Sequence, residues 1–435
     1  MPSKRIPKVP DNVAVESFLI HGRHFTEKWD FKHHIIPPQS SSVTYRLDKT
    51  ERGAKGFKDY ASGEAHKHEP IYIYDRLDEP TRGMLEDELA GFEGGDFCVC
   101  FATGMAAIAA ALGVVLKHGD ELVAHHTLYG CTYSLITNWY PKLGISHKLV
   151  DLRDLKQLKA AITDKTRCVY LETPVNPTLE LLDLKAIRKV VDEVNGKRKE
   201  GEKVWILVDN TFATPYCQRP LELGAHVVVH SLTKNIGGYG TDMGGAVIGP
   251  AELEGQVLLY RKDFGGALAP KSAWPILVYG LPTLPLRLKR QMETATEVAR
   301  FLHGHAKVSR VVYPGLENHD QFALAKKQMR TPDGEFAPGN MIYFETVESD
   351  PRNPRNCVKV VDWIAKNAYT LTLAVSLGQL RTLIENPGAM THAAVPEDKR
   401  LEGGIAPNGI RLSIGIEAAA DIIRDLEHGL AQAEV

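Results

Sequence analysis

The stretch that decides the fold is AHVVVHSLTKN, residues 225–235. Its β-branched run at 227–229 predicts a buried strand, which ends at Ser231 and Thr233. A single lysine, Lys234, follows, and a glycine-rich segment comes after it. A lysine at the end of a buried strand is either a solvated loop residue or a reactive amine, because lysine forms Schiff bases with carbonyl compounds.

Composition and charge restrict the class of protein. The chain has 435 residues, 43% of them hydrophobic and 24% charged, which is typical of a soluble globular protein with two or three domains. The formal net charge of −2 predicts no nucleic-acid partner. There is no apolar run of the roughly 18 residues that a membrane span needs and no signal-peptide core. The lack of such a run predicts no membrane partner, and the six scattered cysteines favour a cytoplasmic location.

Short apolar runs alternate with helical stretches over the first half of the chain. Strands are predicted near residues 97–101, 122–124, 148–150, 168–171, 204–208, 227–229 and 246–248, and helices near 105–115, 152–162 and 184–194. This alternation indicates an α/β fold, a mostly parallel sheet covered on both faces. A long amphipathic helix from Pro282 to Leu302 then leads to more widely spaced strands, which predict a smaller α+β domain.

The first 70 residues contain few periodic runs. We expect an irregular arm that wraps around a neighbouring subunit. Thr81 is predicted to cap the helix that follows this arm. The predicted domains are the arm at 1–78, an α/β domain at 79–284 and a C-terminal α+β domain at 285–435.

Polar residues follow the predicted strands at the edge where parallel sheets bind ligands. Gly104 opens a helix whose free N–H groups favour an anion such as phosphate. Asp209 ends a neighbouring strand, where a buried carboxylate needs a cation. The ring nitrogen of pyridoxal phosphate (PLP) is such a cation, and Tyr129 could stack on its ring. Together with Lys234, these residues predict PLP as the cofactor.

With these residues assembled, the chain resembles the Cys/Met-metabolism PLP enzymes, the family of cystathionine γ-synthase and methionine γ-lyase. The segments VDNTFATPY at 208–216, PLELGA at 220–225 and HSLTK at 230–234 match the family signature. The resemblance extends from about residue 70 to the end of the chain. It implies a PLP-dependent transferase fold of type I, like that of aspartate aminotransferase, with a mostly parallel seven-stranded sheet. It also implies a homotetramer, a dimer of dimers that share active sites.

The resemblance implies a role for each site residue. Lys234 would hold the internal aldimine, and Asp209 would hold the pyridine nitrogen. The cofactor would be bound by Gly104, Met105, Tyr129, Asn176, Asp209, Ser231, Thr233 and Lys234, and by Tyr74 and Arg76 reaching in from the neighbouring subunit. Ser376 and Arg411 match the positions that bind the substrate α-carboxylate. The chain departs from the family at Thr103, usually serine, and at Glu79, usually asparagine.

Three features favour a methionine γ-lyase. Cys131 is a candidate catalytic residue at a position where most relatives have glycine and these lyases have cysteine. Lys262 and Asp263 match a pair associated with the same lyases and are assigned to substrate binding. Val375 stands where cystathionine-handling members place a glutamate that meets the distal ammonium, so the pocket would suit a thioether.

The predicted reaction is α,γ-elimination of the amino-acid substrate L-methionine to 2-oxobutanoate, methanethiol and ammonia, with Tyr129 as general acid. Alternatives within the family are an O-acetylhomoserine sulfhydrylase, a cystathionine γ-synthase and a cystathionine γ-lyase. A nicotinamide-dependent oxidoreductase and a non-catalytic scaffold are alternatives of other classes. None of the 17 histidines combines with other ligands at zinc-site spacing, so no metal is predicted.

Overall fold

The computed structural model describes residues 9, 13–22, 34–60, 71–350 and 352–434. Much of the predicted arm, including the segment 61–69, lies outside these residues. The larger of two sheets has seven strands, which are β1 (Phe97–Phe101), β2 (Glu121–His125), β3 (Ser146–Val150), β4 (Thr166–Glu172), β5 (Trp205–Asp209), β6 (Val227–Ser231) and β7 (Gly245–Gly249).

The strands of this sheet follow the order β1-β7-β6-β5-β4-β2-β3. Six strands run in one direction, and β7 is antiparallel to both of its neighbours. The reason is the connection from β6, which contains no crossover helix, whereas parallel neighbours need one. The predicted mostly parallel sheet of seven strands is therefore confirmed.

Sixteen α-helices lie in the described residues. They are α1 (Val15–His21), α2 (Thr50–Asp59), α3 (Pro80–Glu93), α4 (Gly104–Val115), α5 (Gly130–Ser134), α6 (Leu155–Ala161), α7 (Leu184–Asn195), α8 (Thr214–Cys217), α9 (Pro220–Leu223), α10 (Ala251–Phe264), α11 (Pro270–Pro275), α12 (Leu281–His303), α13 (Phe322–Gln328), α14 (Arg355–Asn367), α15 (Glu397–Glu402) and α16 (Ala419–Leu430). A π-helical turn, Ile276–Gly280, joins α11 to α12. Within the described part of the chain, no helix combines the length and apolar character that a membrane span requires.

Both faces of the large sheet are buried, and β1 shows how. Phe97, Val99 and Phe101 belong to the core that includes α4 and α10, whereas Cys98 and Cys100 face the core formed with α3 and α12. All five side chains are buried. A strand enclosed on both faces is apolar throughout, which is why its sequence predicts it well.

The smaller sheet has five strands in the order β10-β11-β12-β9-β8. They are β8 (Val308–Val312), β9 (Met341–Thr346), β10 (Leu371–Leu373), β11 (Thr382–Glu385) and β12 (Gly409–Ser413). Helices α12, α14 and α16 pack on this sheet, as expected for an α+β unit. The predicted domain boundary at 284/285 falls within α12, and the domain limits stay predictions.

Two local expectations are wrong. The N-terminal region is not irregular throughout, because α1 and α2 lie within it and Phe18 and Leu19 of α1 are buried in the core. Thr81 does not cap α3. The cap is Glu79, whose carboxylate accepts hydrogen bonds from the N–H groups of Thr81, at 2.8 Å, and Arg82. Pro80 occupies the first helical position, so the capping residue precedes it.

Candidate active site

A cavity of about 420 Å³ lies at the carboxyl ends of the parallel strands, between the two sheets. Residues that follow the ends of β1, β2, β4, β5 and β6 line it, as expected for a parallel sheet. Eleven predicted site residues line this cavity, namely Gly104, Met105, Tyr129, Cys131, Asn176, Asp209, Ser231, Thr233, Lys234, Ser376 and Arg411. The structure thus brings most of the predicted site together.

The start of α4 forms one end of the cavity. Thr103 caps the helix, with its Oγ1 accepting from the N–H of Ala106 at 3.1 Å, and the helix offers no partner to the N–H groups of Gly104 and Met105. A Cβ atom at Gly104 would lie 2.8 Å from Cβ of Ser231, so this close approach of α4 to β6 requires glycine. Such a helix start with adjacent hydroxyls suits a phosphate.

Two acidic side chains, Asp209 and Glu172, lie on neighbouring strands at the same level. Burial is the main cause that raises the pKa of both carboxyls. Glu172 accepts the N–H of Tyr129 at 2.8 Å, and Asp209 accepts the N–H of Thr211 at 2.9 Å. The pKa of Glu172 is raised well above its usual value, with Asp209 as the second cause. A cation placed in the cavity would therefore favour the charged form of Asp209.

Lys234 enters the cavity from the end of β6. Its Nζ donates a hydrogen bond to Oγ of Ser376 at 2.7 Å. Burial, followed by the nearby Arg411, lowers the pKa of the amine to about 8. An unperturbed lysine titrates near 10.5, so a much larger share of this amine is neutral and nucleophilic at neutral pH.

Arg411 is buried on β12, and its guanidinium is held by three partners. Nη1 donates to Oδ1 of Asn176 at 2.8 Å, and Nη2 donates to the carbonyl oxygen of Ser376 at 3.0 Å. Nη2 also forms an ion pair with Oε1 of Glu385 at 2.8 Å. Ser376 itself has a φ of 94°, a conformation that is costly for a residue other than glycine. This conformation places its hydroxyl on Lys234 and its carbonyl on Arg411.

Tyr129 and Cys131 lie side by side on the cavity wall. Burial raises the pKa of the Tyr129 hydroxyl, and a hydrogen bond with the Cys131 thiol raises it further. Tyr129 is therefore protonated at neutral pH and can donate a proton or a hydrogen bond. Cys131 is exposed, unlike the five other cysteines, which are buried.

The family model for Cys/Met metabolism PLP-dependent enzymes matches residues 17–431. The chain belongs to this family. An L-methionine gamma-lyase of Fusobacterium nucleatum subsp. polymorphum is 40% identical over 398 residues, which cover 91% of this chain and 93% of that protein. A cystathionine beta-lyase of Lactococcus lactis subsp. cremoris is 39% identical over 360 residues, covering 82% of this chain and 88% of that protein.

Solved structures agree with the family assignment. Cystathionine gamma-lyase from Lactobacillus plantarum, complexed with L-serine, superposes with a TM-score of 0.82 at 33% identity, covering 97% of this chain and 99% of that one. Cystathionine gamma synthase from Xanthomonas oryzae pv. oryzae, in complex with cystathionine, gives 0.83 at 33% identity, covering 97% and 98%. The fold-type-I prediction is confirmed. The enzyme is PLP-dependent and belongs with the sulfur amino-acid lyases and synthases, so the nicotinamide-dependent and non-catalytic alternatives are set aside.

The cavity of this Cys/Met-metabolism enzyme fits PLP in its donor set. It joins a lysine amine, a buried carboxylate, an aromatic ring and a glycine-opened helix start within one enclosed volume. One detail differs from the expectation for phosphate binding. The Thr233 hydroxyl donates to the carbonyl of Gly244 at 3.3 Å and accepts its N–H at 3.1 Å, so this hydroxyl is already hydrogen-bonded to the chain.

Four predicted site residues do not line the cavity. Arg76 donates a hydrogen bond to the carbonyl of Lys262, and its guanidinium lies 5.5 Å from the ring centre of Tyr74. Lys262 pairs with Asp263 at 3.3 Å. These four residues form one surface cluster, which we call the Tyr74 patch. Their roles in a neighbouring subunit's site and in substrate binding stay predictions.

The sequence did not point to Glu385 and Thr391. Glu385 is 1% exposed and lies directly opposite Arg411 in the β11–β12 pair. Thr391 lines the cavity and donates its hydroxyl to Oε1 of Glu385 at 2.8 Å. The available signal is weak, an acidic residue at the end of the apolar run TLIE at 382–385. Its partner can be recognised only from the register of the sheet.

A histidine cluster lies outside the cavity. Potential ligand atoms of His125, His126 and Asp151 lie within 4.8 Å of one another. Nδ1 of His125 accepts the N–H of Leu152 at 3.2 Å, and both oxygens of Asp151 accept from Arg153. These candidate ligand atoms already accept hydrogen bonds, and the positive charge of Arg153 lies beside them. Both features disfavour a bound cation, and we assign no metal to this cluster.

Proposed function

We propose that this enzyme catalyses the α,γ-elimination of L-methionine to 2-oxobutanoate, methanethiol and ammonia. The proposal rests on Val375, which lines the cavity beside Ser376 with 56% of its surface exposed. In the family, cystathionine-handling members place a glutamate at this position. Valine offers an apolar contact to a thioether and no carboxylate to a distal ammonium. The similarity to methionine gamma-lyases supports the same substrate.

Lys234 is the base in this proposal. PLP, when bound, supplies the electron withdrawal that stabilises negative charge on the substrate carbon atoms. The amine with its pKa of about 8 is close to the optimum for proton transfer at neutral pH. Arg411, Asn176 and Ser376 form the group that would hold the α-carboxylate and orient the Cα–H bond toward this amine.

Tyr129 is the acid. Its raised pKa keeps the hydroxyl protonated at neutral pH, so that it can protonate the thiolate that develops as the Cγ–S bond breaks. The Cys131 thiol contributes by its hydrogen bond to Tyr129. These roles yield a carbon–sulfur lyase in which one residue removes protons and another protonates the leaving sulfur.

The substrate assignment is tested with a panel of sulfur amino acids. Methionine should give equal amounts of 2-oxobutanoate and methanethiol. If methionine gives no 2-oxobutanoate while O-acetylhomoserine and sulfide give homocysteine, the enzyme is a sulfhydrylase. Preferential turnover of cystathionine would point to the cystathionine lyases and synthases.

The covalent role of Lys234 is tested separately by borohydride reduction of the holoenzyme and peptide mapping. The phosphopyridoxyl group should be found on Lys234. A label on another lysine would refute the assignment. Lys234→Arg keeps a cation at the position and should carry no label.

We also propose a homotetramer built from dimers that share active sites. The Tyr74 patch lies away from the cavity of its own chain, and the aromatic side chains of Phe57 and Phe264 are 59% and 76% exposed. Two inactive variants, Arg76→Ala and Lys234→Ala, should regain activity on mixing after subunit exchange, because some sites then combine two intact halves. No recovery, or a monomer in sedimentation, would contradict this arrangement.

We further propose a cytoplasmic location. All six cysteines are free, which is consistent with a reducing compartment. Cell fractionation should recover the enzyme with cytoplasmic markers. Recovery in a membrane or secreted fraction would contradict this proposal.

A further inference from the structure

The arginine assigned to the substrate carboxylate already has a carboxylate partner within the chain. Nη2 of Arg411 lies 2.8 Å from Oε1 of Glu385, and both side chains are almost fully buried, 3% and 1% exposed. The pair is fixed by the antiparallel register of β11 and β12. Only one oxygen of Glu385 is satisfied in this way. Oε2 is buried without a hydrogen-bond partner among the described residues.

Binding of a second carboxylate would change the balance of charge at this position. Arg411 supplies one positive charge, and two carboxylates beside it would leave a buried negative charge. Two carboxylates that share one site do not both ionise readily, and the pKa of one rises strongly. A buried anion with an unpaired oxygen is especially costly. Protonation at Oε2 of Glu385 would remove that cost.

Other titratable groups near Glu385 do not supply this proton. His392 follows Thr391 and is buried, and burial and Arg411 lower its pKa to about 3, so it is neutral in the relevant pH range. Lys234 is close enough for its charge to influence Glu385, but its Nζ donates to Ser376. Tyr129, near Arg411, has a raised pKa. Glu385 has a pKa raised by burial, opposed by Arg411, Thr391 and Lys234.

We propose that Glu385 takes up one proton when the substrate carboxylate binds Arg411, so that substrate affinity increases as the pH falls. This inference rests on the proposed function, because it assumes that Arg411 binds the α-carboxylate. Glu385 acts through Arg411 and is a positioning residue. In the free enzyme, the ionised Glu385 carboxylate orients the Arg411 guanidinium. Once Glu385 is protonated, the guanidinium can bind the substrate carboxylate instead.

The test uses 4-(methylthio)butanoate, which has the carboxylate and thioether of methionine but no amine. Calorimetric titration of the holoenzyme in phosphate and in Tris, between pH 6.5 and 8.5, gives the number of protons taken up from the dependence on buffer ionisation enthalpy. We expect about one proton per analogue, and a Kd that rises about tenfold per pH unit where uptake is complete. Glu385→Gln should bind the analogue with no proton uptake and a flat Kd.

Thr391→Val provides a second variant that keeps the carboxyl group. Loss of the donated hydrogen bond favours the protonated form, so the midpoint of proton uptake should move to higher pH. Thr370→Val is the matched control, since Thr370 donates to Asp425 at 2.7 Å and does not line the cavity. This control should leave the midpoint unchanged.

The outcomes separate the inference from the proposed function. If the analogue does not compete with methionine, the role of Arg411 in carboxylate binding is wrong, and the inference is refuted with it. If the analogue competes without proton uptake, or Glu385→Gln takes up as many protons as the wild type, the inference alone is overturned. Should Glu385→Gln fail to fold, an unchanged midpoint in Thr391→Val would overturn it.

Discussion

The Lys234 amine should attach PLP at neutral pH far faster than an ordinary lysine would. Its pKa is lowered to about 8, first by burial and then by Arg411. At pH 7.5, a pKa of 8 leaves about 24% of the amine neutral, against about 0.1% for a lysine that titrates near 10.5. The expected gain in reactive amine is about 240-fold.

The assay follows covalent attachment of PLP to the apoenzyme between pH 6 and 10, by absorbance and by borohydride trapping. The rate should rise with a midpoint near pH 8. A midpoint near 10.5 would refute the reasoning, because it would mean that the buried environment does not disfavour the charged amine.

Arg411→Gln provides the perturbation. The Lys234 amine and the Arg411 guanidinium both contact Ser376. Two unit charges on the order of 6 Å apart, at an effective dielectric constant of about 20, repel by at most about 3 kcal/mol, or about two pKa units. We therefore expect the midpoint to rise by one to two pH units. Glu385→Gln removes a negative charge and should lower the midpoint, so a shift of the same sign in both variants would contradict the electrostatic account.

Three further predictions concern cofactor affinity, substrate choice and stability. Gly104→Ala should raise the Kd for PLP at least tenfold in equilibrium dialysis, since its Cβ would lie 2.8 Å from Cβ of Ser231, whereas Gly201→Ala, with no atom within 4 Å, should not. Val375→Glu should lower kcat/KM for methionine and raise it for cystathionine, and the uncharged Val375→Gln should show no gain with cystathionine. Burial raises the pKa of the Glu79 carboxyl from 4.5 to about 7. A raised acid pKa favours the folded state below the unfolded pKa, and this contribution of about 3 kcal/mol is lost as the pH rises toward 7. The difference in melting temperature between Glu79→Gln and the wild type should therefore shift in favour of Glu79→Gln as the pH rises from 5 to 8.

The large sheet could be predicted from the sequence because its strands are enclosed on both faces. β1 is apolar throughout and β6 begins with three valines, and the polar residues after them, such as Lys234, lie at the edge where a parallel sheet binds ligands. By contrast, β10 and β11 have only three and four residues and gave no distinct pattern. The cap at Glu79 was missed because glutamate is not a usual capping residue.

The sequence named most of the site residues, but the contacts between them could not be predicted because they join distant segments. Lys234 and Ser376 are separated by 142 positions, and Asn176 and Arg411 by 235. No local pattern encodes such distances. The same holds for the Tyr74 patch, which lies outside its own cavity and whose predicted role depends on a second chain.

Ser376 shows how the two sheets cooperate in this site. Its φ of 94° would be easier for glycine, and such a conformation costs on the order of 1–3 kcal/mol in other residues. A glycine could still offer its carbonyl to Arg411, but it has no hydroxyl for Lys234. The strained serine therefore connects the amine at the end of β6 to the guanidinium on β12. Because Glu385 is paired with the same guanidinium, a chain of only two residues, Arg411 and Ser376, connects its charge to Lys234.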